Sequence, residues 1–306
     1  MPKQGFYIDM TEQEYREAEG ANYSHMAAFY ESQDHALLPV TPKSYFEFGN
    51  GFELYLQDIA QGTSLFYDRF FVCDAPGSMP EKLPAMLKAD QPLEDFFILT
   101  KSGERNKQNK KLHAWLDVCI KNPGKMPMSE SEFKTLNTMA TNMLKMDVEY
   151  TVGVDESNEP EIKEYNVGEI MKAASFQVPI FWTHDGIRKK ALIDLMIATG
   201  ESTYTFDIKS SANAPGFRKM FKNKYWIQDI HYTEGCQHVF ENPKPMQFLA
   251  GFKEAPFIAQ SFEIHPQSRD SAILKYAKLS YEFAEWVASG MWPKGWKGLE
   301  KVRLYL

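Results

Sequence analysis

Residues Ile193 to Ser211, IDLMIATGESTYTFDIKSS, constrain the chain more than any other stretch, because they set charged side chains into two runs that otherwise read as half-buried strands. Tyr204, Phe206 and Ile208 alternate with Thr205, Asp207 and Lys209, the period-two pattern of a strand with one apolar face. Asp207 and Lys209 therefore share a side. Ala191 to Ala198 is a second short apolar run, and Thr199-Gly200-Glu201-Ser202 between the two has turn chemistry, so the simplest reading is a hairpin. If Ala198 and Thr203 close its loop, antiparallel register puts Asp194 directly opposite Asp207, with Cβ atoms about 5 Å apart. Two like charges at that spacing, in partly apolar surroundings, are unfavourable unless they share a proton or a cation. A divalent metal is the expected answer.

Ligand hardness narrows the metal. Carboxylates without nearby Cys, and with only scattered His, favour Mg²⁺, with Mn²⁺ as a substitute, over zinc or copper. An ammonium beside such a metal would repel it, so Lys209 suggests an anion between them, such as a phosphate that gains charge during attack by water. The chemistry this describes is phosphodiester hydrolysis. The Asp and Asp-x-Lys triplet taken alone is more simply read as a solvent-facing hairpin edge that carries a salt bridge, and the register and flanking sequence are what favour the metal.

The rest of the chain reads as elements around this hairpin. Residues 1 to about 150 are mainly helical: TEQEYREAEG with Thr11 and Glu14 in a capping-box pattern, then NYSHMAAFYES, FGNGFELYLQDIAQG, NKKLHAWLDVCIK and SESEFKTLNTMATNMLKM at helical spacing. DESNEPEIKE, Asp155 to Glu164, reads as an exposed acidic loop. From Phe176 the pattern turns to strands, FQVPIFW and the turn THDG leading into the hairpin as a three-stranded meander. RKMFKNKYWIQDIHYTEGCQHVF then reads as one long helix, MQFLAGF and PFIAQSFEIH as strands, and DSAILKYAKLSYEFAEWVAS as an amphipathic helix ending at Gly290. The fold class is α/β (α+β), a mixed central sheet flanked by helices, in a single domain over 1–306 with a helical part over 1–150 and the catalytic sheet and last helices over 165–306.

At 306 residues and 43% hydrophobic content the chain can bury a sizeable core. It has no apolar run of about 18 residues and no signal-like start, which predicts a cytoplasmic protein without a membrane span. Cys73, Cys119 and Cys236 are far apart, which argues against a disulfide framework, a zinc site or a four-cysteine cluster. A net charge of -7 does not suit a protein that coats nucleic acid, but local basic patches can still bind it. One is KSGERNKQNKK, Lys101 to Lys111. The other is GFRKMFKNKYW, where Arg218, Lys219, Lys222 and Lys224 are interleaved with Phe217, Phe221, Tyr225 and Trp226; this is a candidate DNA-binding patch, or the solvated face of an amphipathic helix. On the helix that follows, Gln228 and Tyr232 stand at i and i+4 and share a face that could reach the metal site.

This ordered set resembles the PD-(D/E)xK nuclease superfamily, and more closely its RecE-like, exonuclease VIII-type branch. The matching residues are Gly49-Asn50-Gly51-Phe52-Glu53 in place of a Gly-x-x-x-His motif, Asp194, Asp207-Ile208-Lys209 and Gln228-x-x-x-Tyr232, with lesser matches in YSHMAAFYES, FQVPIFW and Trp292-Pro293. The resemblance implies a restriction-endonuclease-like core in which Glu53, Asp194, Asp207 and the Ile208 carbonyl hold Mg²⁺. It implies that Lys209 orients water and stabilises the phosphate, that Gln228 and Tyr232 line the catalytic site, and that Ser210 and the basic patch contact DNA. Members of this branch degrade linear double-stranded DNA from its ends, often as ring-shaped homo-oligomers, and act with a single-strand annealing protein in recombination. Two positions depart from the pattern: Glu53 stands where the branch usually has His, and Gln177 where relatives commonly carry Glu. An endonuclease of the same superfamily, or a nuclease-like DNA-binding or assembly module without catalysis, would share most of these residues. A metabolic Mg²⁺ enzyme acting on a small phosphate ester lacks a glycine-rich phosphate loop to support it.

Overall fold

The structure is a computed structural model, and it describes residues 2–37, 44–74, 79–89, 91–154, 160–199 and 202–290. In chain order the helices are α1 (Glu12–Glu17), α2 (Tyr23–Glu31), α3 (Gln33–Leu37), α4 (Ser44–Gln61), α5 (Leu65–Arg69), α6 (Leu83–Leu87), α7 (Lys110–Ile120), α8 (Glu130–Leu144), α9 (Val167–Ala173), α10 (Ala214–Met220), α11 (Trp226–Val239) and α12 (Pro266–Ala288). The strands are β1 (Gly5–Phe6), β2 (Phe70–Cys73), β3 (Met126–Ser129), β4 (Asp147–Val154), β5 (Pro160–Asn166), β6 (Ser175–His184), β7 (Ile187–Thr199), β8 (Ser202–Ser211), β9 (Gln247–Phe252) and β10 (Ala259–Phe262).

A six-stranded mixed sheet in the order β1-β6-β7-β8-β9-β10 forms the centre. Every neighbouring pair is antiparallel except β8 and β9, which run parallel. Parallel neighbours need a crossover, and here α10 and α11 supply it. That return path lays a helix across the strand that carries Asp207 and Lys209. The β7–β8 register pairs Ala198 with Thr203 and Leu195 with Phe206, so the frame that sets Asp194 opposite Asp207 is the observed one. Gly200 and Glu201 of the turn lie outside the described residues.

Both faces of the sheet are covered. Leu195, Tyr204, Phe206, Ile208 and Leu249 pack against Phe52 and Leu56 of α4 and Leu136, Met139 and Met143 of α8. On the other face Val178, Ile180, Ile193, Phe248 and Ala250 pack with Tyr232 and Cys236 of α11. Strand β8 is thus buried on both sides from Ser202 to Ile208, where the alternating pattern predicted one solvated face. The pattern misleads because the alternating residues that look polar, Thr205 and Asp207, face α11 rather than water.

Local chemistry explains the element ends. The Thr11–Glu14 capping box is formed, and reciprocal boxes also start α2 (Asn22 with His25) and α8 (Ser129 with Glu132). The buried Asp58 carboxylate accepts from the N–H groups of Leu65 and Phe66 and caps α5 from a neighbouring helix. The first 150 residues are mainly helical, with a short parallel strand pair, β2 with β3, among the helices. Two sequence expectations need correction. Pro160 to Glu164 belong to β5, which pairs with β4 in a separate two-stranded sheet where Ile162, Lys163 and Glu164 are exposed, so the composition resembles a loop; Asp155 to Glu159 lie outside the described residues. The helix after the hairpin opens at Ala214 behind an Asn213 cap and is interrupted at Phe221–Tyr225 by a π turn. Trp292 and Pro293 also lie outside the described residues. Among the described residues no helix is long and apolar enough to cross a membrane.

Helix α11 lies unusually close to β6 at Gly235, where an added Cβ would come within 2.7 Å of Trp182 and 2.8 Å of Ile180. Alanine is ordinarily the better helix former by about 1 kcal/mol. Gly235→Ala should nevertheless lower stability by roughly 1–3 kcal/mol through overpacking. Thermal or urea unfolding checks this, and a more stable variant would contradict the close approach.

Candidate active site

Three carboxylates converge where β7, β8 and α4 meet. The hairpin supplies Asp194 and Asp207, and α4 brings Glu53 against them because Phe52 and Leu56 beside it pack on the sheet. Asp207 is 1% exposed and Asp194 9%. Each carboxylate has donors fixed around it. The Ile208 N–H donates to Asp194 Oδ2 at 2.9 Å, and the Gln228 side-chain amide donates to Asp207 Oδ1. Lys209 forms an ion pair with Asp207 Oδ2 and lies 5.7 Å from the Tyr225 ring centroid. Gln177 donates from one amide nitrogen to both Glu53 Oε2 (3.3 Å) and Asp194 Oδ1 (3.4 Å).

Gln177 holds this bridge from a backbone position with φ +51°, in the left-handed region that a non-glycine residue seldom adopts. Its pairing slot opposite Asp194 is the one gap in the β6–β7 ladder between Ser175 and His184. The strand therefore gives up regular pairing at the residue that touches two acids.

Burial comes first among the causes that shift all three acids. Burial, and then repulsion from Asp207, pushes Asp194 up to about 7. Burial followed by the Asp194 charge raises Glu53 well above the carboxylate range, and burial raises Asp207 despite the opposing pull of Lys209. Burial works against the charged form of Lys209, but Asp207 and Asp194 outweigh it and hold the ammonium above the usual lysine range. Among the described residues, Lys209 is thus the cation paired directly within this group of three acids. Hard oxygen donors short of positive charge fit a divalent ion such as Mg²⁺.

These groups line a cleft of about 680 Å³ that also includes Ile208, Ser210, Gln228 and Tyr232. Burial keeps the Tyr232 hydroxyl protonated. So Glu53, Asp194, Asp207, Ile208, Lys209, Ser210, Gln228 and Tyr232 are brought together. Arg218, Lys219 and Lys222 are not; they are exposed and line a separate shallow depression with Pro215 and Asn223. Lys224 is ion-paired with Glu31. The aromatic residues between them turn inward, Phe217 against Phe252 and Phe262, and Phe221 and Tyr225 against Phe248. In the first basic patch, Arg105 pairs with Asp117 and covers the Phe97 ring at 3.8 Å.

The cleft also contains Arg16, Glu47, Lys88 and Leu192, which sequence reasoning did not single out, and Tyr23, Ser24, Asn50 and Tyr225, which it named only within longer motifs and gave no role in the site. Asn50 lies inside the quoted GNGFE, and Tyr23 and Ser24 lie at the start of α2. Glu47 is one turn before Gly51 on α4 and pairs with Lys88 at 2.5 Å. Arg16 carries no sequence signal, and Tyr225 reaches the cleft from the π turn.

No family model matches the sequence, and no curated protein matches it. Among solved structures, a protein from Eubacterium rectale described as a "Putative exonuclease" is similar in fold, with a TM-score of 0.50 at 13% sequence identity over 97% of this chain and 96% of that one. The two chains share an architecture, a mixed sheet between helices, along nearly their whole lengths.

Because Asp194 binds its proton more tightly in the folded state than in the unfolded chain, stability falls as pH rises from about 4 to about 7, and the whole cost is present above that range. Asp194→Asn keeps an acceptor for the Ile208 N–H and removes the charge. In metal-free protein the variant should melt several degrees above the parent at pH 8, with the gap closing as the pH is lowered toward 4. Melting curves across that range check this, and a gap that does not depend on pH would refute the charge argument.

Proposed function

We propose that the chain is a metal-dependent phosphodiesterase that hydrolyses double-stranded DNA, a PD-(D/E)xK nuclease of the RecE-like kind, acting on linear duplexes from their ends. The observation that carries this reading is the meeting of Glu53, Asp194, Asp207 and Lys209 in one cleft of a sheet that is similar in fold to a protein described as a "Putative exonuclease". Glu53, Asp194, Asp207 and the Ile208 carbonyl would hold Mg²⁺, which Mn²⁺ could replace. When bound, the ion neutralises phosphate charge and makes a water more acidic.

The chain's own residues do the rest. Gln228 fixes Asp207 through its amide, and the Ile208 N–H fixes Asp194, so neither acid needs to reorganise when charge arrives. Lys209 stays charged, so it acts as a donor toward a non-bridging phosphate oxygen rather than as a base. Tyr232, protonated in its buried setting, donates to the same phosphate or its neighbour. The Glu53 departure from His adds an anionic oxygen ligand, which suits a hard ion. Gln177 supplies a neutral donor to two acids and keeps them ordered.

Arg218, Lys219 and Lys222, exposed beside the crossover helix, extend the footprint along the duplex. Reversing their charges should weaken duplex binding and flatten the dependence of log affinity on log salt, because each lost phosphate contact releases fewer counterions. An unchanged slope in a salt titration would remove the patch from the interface.

The direct test incubates the protein with a linear duplex and with the same DNA as a covalently closed circle, in Mg²⁺ or in EDTA, beside Asp207→Ala. Mg²⁺-dependent loss of the linear form alone, absent in the variant, is the expected result. Cutting of the circle would mean an endonuclease, and binding without loss of either form would mean a module without catalysis.

A further inference from the structure

At the opposite end of the β6–β7 hairpin from the acidic cleft, four side chains that the proposed chemistry does not use come together. His184 and Asp185 stand at the hairpin turn, and Glu234 and His238 stand one helical turn apart on α11. Ligand atoms of His184, Asp185 and Glu234 all lie within 4.8 Å of one another, and the His184 and His238 rings are 5.2 Å apart between centroids.

The hydrogen bonds divide these groups into two shells. Glu234 is fully engaged: Oε2 accepts from Trp182 Nε1 (2.9 Å) and from Lys189 Nζ (2.7 Å), while Oε1 contacts His184 Nδ1 at 2.5 Å. A carboxylate at Nδ1 requires the proton there, which leaves Nε2 of the neutral ring with its lone pair. That is the carboxylate–histidine arrangement that orients metal-binding imidazoles. Asp185 is held by Oδ2, which accepts from Ser280 at 2.7 Å, so that Oδ1 faces His184 Nε2 at 3.9 Å. Two ligand atoms on a tetrahedral zinc lie about 3.3 Å apart, given bonds of about 2.0–2.1 Å. The observed gap needs only a small contraction, and the site is open to solvent on the His184 side.

Charge favours a cation here. Lys189, buried to 0% exposure, is committed to Glu234 and Ser280, so it offsets one carboxylate and leaves Asp185 without an ion pair closer than 3.9 Å. We propose that His184 Nε2, Asp185 Oδ1 and His238 form a zinc site, completed by water, with Glu234 positioning His184. Two imidazoles and one carboxylate select Zn²⁺ and its transition-metal neighbours over Mg²⁺. The site would clasp the β6–β7 turn to α11, and so join the strands that carry Gln177 and Asp194 to the helix that carries Gln228 and Tyr232.

The experiment titrates metal-free protein with zinc chloride by calorimetry and follows cobalt(II) uptake by its visible absorption. The parent should take up one Zn²⁺ with a tetrahedral cobalt spectrum, unaffected by excess Mg²⁺. A double variant, Asp194→Asn with Asp207→Asn, should bind it equally well, which separates this site from the acidic cleft whatever becomes of the nuclease reading. His238→Ala, on an exposed helix position, and His184→Gln should each weaken Zn²⁺ binding about tenfold or more. Binding that survives both histidine changes, or that disappears in the Asp194 and Asp207 variant instead, overturns the assignment.

Discussion

The pairing of β7 with β8 brings two carboxylates face to face in a setting that buries most of both. Much of the surrounding structure is a response to that repulsion. The Ile208 N–H, the Gln228 amide, the Gln177 amide and the Lys209 ammonium are each spent on an acid. Glu53 then adds a third acid instead of relieving the first two, and burial makes it hold its proton tightly. A fold stabilised for its own sake would place apolar side chains there, since replacing buried charge by well-packed hydrophobic groups is often neutral or better. The residual imbalance is what the proposed metal ion would answer.

Sheet topology decides who can answer the acids. Because β9 lies parallel to β8, the chain must leave the site strand, cross over and come back, and the crossover helix passes above Asp207. That is why Gln228 and Tyr232, some twenty residues away in sequence, are neighbours of the hairpin. The opposite face is filled by α4 and α8, which deliver Glu53 by the same logic of covering an apolar surface.

Much of this was legible in the sequence, for identifiable reasons. The hairpin register followed from loop closure and the period-two pattern, and it fixed the Asp194–Asp207 opposition without any long-range information. Helices α2, α4, α7, α8 and α12 announced themselves by spacing, and α1 by its cap. What stayed hidden depended on contacts between distant segments. That β8 is covered on both faces cannot be read from alternation, which reports polarity and not what lies opposite. The inward turn of Phe217, Phe221 and Tyr225 is set by Phe248, Phe252 and Phe262 on two strands far along the chain. Arg16 and Lys88 enter the cleft by tertiary position alone, and the left-handed backbone at Gln177 has no signature in a residue type that rarely adopts it.

The π turn at Phe221–Tyr225 carries a further meaning. Such a turn amounts to one residue added to a regular helix, and each residue of helix rotates the side chains before it by about 100° relative to those after it. Upstream, Arg218 and Lys219 face solvent; downstream, Gln228 and Tyr232 face the acids. The two orientations coexist because of that single extra residue. The number of residues between Asn213 and Gln228 is thus as much a part of the site's specification as their identities, and a chain one residue shorter there could keep every side chain named above and still aim one of the two groups in the wrong direction.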